Sequence, residues 1–98
     1  MKATWISDSI IDCNIPGAFK YLSDEGGKTF GFLFKCPCGC RRMGQVRFVK
    51  DGIAGGWTFN GNTKCPTVHP SINLMADDGS GNTISHWHGW LKDGEWIS

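Results

Sequence analysis

Apolar and polar residues alternate along much of this chain with a period of two, and no segment of a dozen residues carries apolar side chains at i, i+3, i+4 and i+7. The pattern predicts strands and no helix. Thr29 to Lys35 is the clearest case: Phe30, Phe32 and Phe34 alternate with Gly31, Leu33 and Lys35, giving one aromatic face. Ala18 to Ser23 precedes it across Asp24-Glu25-Gly26-Gly27-Lys28, so a hairpin is expected there. Two more are expected around Asp-Gly pairs, which accept the positive φ angles of a tight type I′ turn. One joins Gln45 to Lys50 with Ile53 to Phe59 around Asp51-Gly52. The other joins Thr83 to Lys92 with Glu95 to Ser98 around Asp93-Gly94, with Trp90 and Trp96 expected to pack across the strands near the turn. Ser71 to Leu74, after Pro70, reads as a further short strand.

Composition supports this picture. Fourteen glycines in 98 residues suit turns and bulges better than helix interiors, where each costs roughly 1 kcal/mol relative to Ala. Five Trp, six Phe and one Tyr supply enough apolar surface to exclude a disordered chain. The length fits a single domain over 1–98, one so small that its apolar core leaves a thin margin of stability. The expected fold is all-β, a small antiparallel hairpin-based sheet or sandwich stapled by one zinc site.

Ten Lys and Arg against nine Asp and Glu leave a formal charge of +1, so no global field draws the chain to nucleic acid or an anionic membrane. Neither a signal-peptide pattern nor an apolar run of bilayer length is present, and a cytoplasmic location is expected.

The chemistry concentrates in two places. Cys36, Cys38 and Cys40 fall at alternate positions in Lys35-Cys36-Pro37-Cys38-Gly39-Cys40, too crowded for ordinary disulfides but suited to a metal-binding knuckle that Gly39 lets turn tightly. In Ser85-His86-Trp87-His88, period-two alternation puts both imidazoles on one face, about 6.6 Å apart. Thiolate and imidazole are the preferred ligands of tetrahedral zinc. Cys36, Cys38, Cys40, His86 and His88 are thus five candidates for four positions. Cys13 and Cys65 stand alone and are not expected to ligate, and His69, before Pro70, reads as a loop residue.

These motifs resemble those of a group of small, largely phage and prophage proteins of unknown function, some of which carry the label "ammonia monooxygenase". The shared pieces are CPCGC at 36 to 40, WTFNGNTKCPTVHPSI at 57 to 72 and HGWLKDG at 88 to 94, so the resemblance covers roughly residues 30 to 98. It implies a zinc-binding β domain, with Cys36, Cys38, Cys40 and His88 carried over as ligands. It implies no activity, and the chain shows neither a multi-His copper site nor a redox-cofactor motif.

A catalytic zinc would keep one position open for water and place a general base nearby, yet the only glutamates are Glu25 and Glu95. A His-x-Glu with Pro-Cys-x-x-Cys, the zinc deaminase signature, is absent. A thiolate-rich closed site therefore ranks above a zinc-dependent hydrolase. Lys35, Arg41, Arg42, Arg47 and Lys50 make residues 35 to 50 a basic segment without an acid, which keeps nucleic-acid binding as an alternative. The leading expectation is a zinc-stabilised protein that acts by binding, with a host or phage protein as partner and with Arg41 and Arg42 presented from the knuckle as contacting residues.

Overall fold

A computed structural model describes residues 1–48, 56–77 and 79–98. Among the described residues, nine strands run in chain order: β1 (Thr4–Trp5), β2 (Ala18–Ser23), β3 (Thr29–Lys35), β4 (Met43–Arg47), β5 (Thr58–Phe59), β6 (Val68–His69), β7 (Ile72–Asp77), β8 (Thr83–Lys92) and β9 (Glu95–Ile97). There is no helix among the described residues, and none long and apolar enough to cross a membrane. The fold is all-β and rich in antiparallel pairs, as the alternation predicts. A four-stranded sheet has the order β1-β2-β3-β4, in which only β1 and β2 run parallel. A three-stranded sheet has the order β7-β8-β9, and β5 and β6 form a two-stranded one.

One core joins these sheets. Phe19, Phe32, Phe34 and Val46 from the first meet Ile72, Leu91 and Trp96 from the second, with Val68 of β6 beside them. Phe32 and Phe34 are wholly buried, whereas Phe30 lies at the rim, its ring under the Arg47 guanidinium at 5.5 Å. The aromatic face of β3 thus covers the core over two of its three rings. Gly31 and Gly44 admit close neighbours: a Cβ at Gly31 would strike the Val46 carbonyl, and one at Gly44 the Phe34 ring.

Two expectations of pairing are revised. Residues 49–55, with the turn Asp51-Gly52, lie outside the described residues; among the described ones, β4 and β5 share no ladder. Phe48 makes a parallel bridge to Trp57, and β5 takes β6 as its antiparallel partner. The Phe48 and Phe59 rings stack at 4.3 Å, so this segment is placed by ring packing. The closing hairpin forms as expected, with Asp93 and Gly94 both at positive φ. Its tryptophans, however, part company. Leu91 pairs with Trp96 and Trp90 with Ile97, so Trp96 enters the core against Trp87 and Phe34 while Trp90 stays on the outer face.

Candidate metal centre and candidate active site

The knuckle between β3 and β4 turns inside a backbone clamp. Cys36 N donates to the Arg42 carbonyl at 2.8 Å and Gly39 N to the Cys36 carbonyl at 3.1 Å, with Gly39 at φ 88° and Arg41 at φ 69°. Lys35, at the end of β3, is buried, and its Nζ donates to the Ile11 and Arg41 carbonyls at 3.2 and 3.4 Å. The cation thereby ties the stretch before β2 to the knuckle.

The knuckle brings three sulfurs together and β8 adds one nitrogen. Cys36 Sγ and Cys38 Sγ are 3.2 Å apart, and His86 Nε2 lies 3.3 Å from Cys38 Sγ and 3.0 Å from Cys40 Sγ. All four donor atoms fall within 4.8 Å of one another and could hold one metal ion. The thiols are free rather than disulfide-bonded. Burial pushes the Cys36 thiol up to about 12. Burial also opposes ionisation of Cys40, but hydrogen bonds from the Arg42 backbone and from Cys38, Cys36 and His86 outweigh it and hold that thiol down at about 6. Three converging thiols and one imidazole are the donor set of a closed Cys₃His site, which fits a structural ion.

His88 is not part of this cluster. The reason is a bulge in β8: Leu74 pairs with Trp87 but Met75 pairs with Ser85, leaving His86 as the extra residue without a partner on β7. The bulge breaks the alternation that would have put both imidazoles on one face. His86 reaches the knuckle, while His88 Nε2 lies 2.8 Å from Ser71 Oγ. His69 and Cys65 are exposed, and neither these nor Cys13 is among the four clustered donors. Glu25 and Glu95 also lie outside the cluster.

The Ser71 contact was not foreseen from the sequence. Ser71 immediately precedes β7, and Trp57 Nε1 donates to its carbonyl at 3.2 Å, anchoring its backbone. On β8, His88 pairs with Asn73, whose Oδ1 accepts from Ser85 Oγ at 2.6 Å, and the His88 ring packs at 5.4 Å from that of Trp90. A Ser hydroxyl at hydrogen-bond distance from an imidazole is the minimal pair for nucleophilic acyl transfer. The signal in the sequence was the Pro70-Ser71 entry to β7; pairing that strand with β8 would have set Ser71 and His88 side by side.

The basic segment is divided by the fold. Lys35 is turned inward and Arg47 lies over Phe30, while Arg41 and Arg42 remain exposed beside the knuckle; Lys50 lies outside the described residues.

No curated protein and no solved structure matches the chain. One family model does, over residues 7–98, and so reaches well before the motifs of residues 30 to 98; its description is "Bacterial ubiquitination-like system serine protease (BubE)". With nearly its whole length matched, the chain belongs to the BubE family.

Proposed function

We propose that this protein is a serine peptidase in which Ser71 is the nucleophile and His88 the general base, on a scaffold stapled by zinc at Cys36, Cys38, Cys40 and His86. The observation that carries the peptidase reading is the 2.8 Å contact between Ser71 Oγ and His88 Nε2, in a family described as a serine protease. The hydroxyl proton passes to Nε2 as Oγ attacks the carbonyl carbon of a peptide bond. The C–N bond then breaks, and the same proton goes to the departing amine. Water then attacks the resulting Ser71 ester as His88 takes one of its protons, and that proton returns to Oγ when the acyl–Oγ bond breaks. Trp57 holds the Ser71 backbone in place, and Trp90 limits the swing of the imidazole. The zinc, when bound, supplies a rigid cross-link between the knuckle and β8 and takes no part in the chemistry.

The substrate would be a protein of a ubiquitination-like system, as the family description suggests. Arg41 and Arg42, exposed beside the knuckle, are suited to contact acidic groups on it. This reading departs from binding without turnover, because the fold sets a serine hydroxyl against the His88 imidazole.

The experiment is active-site labelling. Diisopropyl fluorophosphate should modify Ser71 of the wild-type protein, as read by intact mass and peptide mapping, and both Ser71→Ala and His88→Ala should abolish the label while keeping the wild-type circular dichroism. A folded wild-type protein that takes no label at Ser71 rules the reading out.

A further inference from the structure

Beside the Ser71–His88 pair lies a cleft of about 350 Å³. We propose that it binds one large apolar side chain of the peptide being cleaved, that of the residue whose carbonyl carbon is attacked. The inference rests on the peptidase reading and adds its substrate preference.

Three observations place and characterise the cleft. The first is continuity with the reacting pair. One wall is Trp90, whose ring lies 5.4 Å from that of His88, and the other is Val68 and His69, which precede Ser71 across the bend at Pro70 and its cis peptide bond. A peptide carbonyl held at Ser71 Oγ therefore has its own side chain within reach of the opening. The second is the lining. Trp90 and Ile97 are cross-strand partners on the outer face of the β8–β9 ladder and remain 42% and 43% exposed, with Leu91 and Val68 beneath them. Two large apolar side chains paired on an otherwise polar face form a surface that gains by being covered. The third is size and charge. The volume is at the small end of ligand pockets, about 300–1,000 Å³, which suits a side chain rather than a cofactor. Lys92 is part of the lining, so a basic side chain would meet a like charge.

The test uses capped aminophosphonate diphenyl esters, which phosphonylate a reactive serine and carry the side chain of Leu, Phe, Gly or Lys at the reactive centre. The Leu and Phe reagents should inactivate at rates about tenfold above the Gly and Lys reagents. Ile97→Ser and, independently, Ile97→Asp should erase that preference while leaving labelling of Ser71 by diisopropyl fluorophosphate, which is too small to need the cleft, at the wild-type rate. Equal rates for all four reagents on a protein that labels at Ser71, or variants that label normally and keep the preference, overturn the cleft alone. A folded protein that does not label at Ser71 overturns the cleft together with the peptidase reading.

Discussion

A single inserted residue separates two side-chain clusters in this protein. His86 and His88 are two positions apart, and in an unbroken strand they would share a face. With His86 bulged out of the β7–β8 register, one imidazole joins the thiols of the knuckle and the other meets Ser71. The two variants should therefore fail in different ways. His86→Ala should lose bound zinc, measured by inductively coupled plasma mass spectrometry. His88→Ala should retain close to one zinc per chain and lose only serine labelling. Loss of zinc in His88→Ala would place that ring among the ligands after all. The candidate ligands could be recognised from residue types and spacing alone. Their sorting could not, because a bulge is a property of two paired strands and leaves no mark in the alternation of one.

Among the elements, β8 bears the most. It pairs with β7 and β9, sends Trp87 and Leu91 inward, and presents His86 and His88 to different partners. Gly89 lets β9 approach: a Cβ there would meet the Ile97 carbonyl and the Trp87 ring. Gly89→Ala should destabilise the protein by about 2 kcal/mol, as overpacking does, which a thermal melt would read as a fall in Tm of about 10 °C for a domain of this size. Gly26→Ala, in an open turn whose nearest non-neighbouring atom would be 3.5 Å from the new Cβ, should change Tm little and serves as the control. Similar melting temperatures for the two variants would contradict so close an approach of the two backbones. The hairpins β2–β3 and β8–β9 were legible because each joins adjacent strands through Gly-bearing turns. The pairings of β5 with β6 and of β1 with β2 were not: strands of two residues carry too little periodicity to reveal a partner.

At the scale of the whole molecule, the four-donor cluster and the Ser71–His88 contact both draw a histidine from β8. The knuckle belongs to the four-stranded sheet and His86 to the three-stranded one, so an ion held by all four donors would cross-link the two sheets across their common core. Across a core this small such a cross-link contributes directly to folding free energy. A strong chelator should lower the Tm and, because His86 and His88 share β8, slow fluorophosphonate labelling of Ser71 in parallel; added zinc should restore both. Labelling that persists unchanged after complete metal removal would show that the pair is organised without the ion.

The amino-acid sequence by itself determined the strand content, two of the hairpins and the pool of sulfur and imidazole donors, because these follow from local periodicity, turn chemistry and residue type. Tertiary structure decided which histidine joins which partner, that Trp90 faces solvent while Trp96 fills the core, and that a serine 17 positions before His88 lies against its ring. Each of those outcomes depends on the register between strands distant in the chain. Register is set by the packing of both sheets around one core, and a strand considered alone carries no record of it.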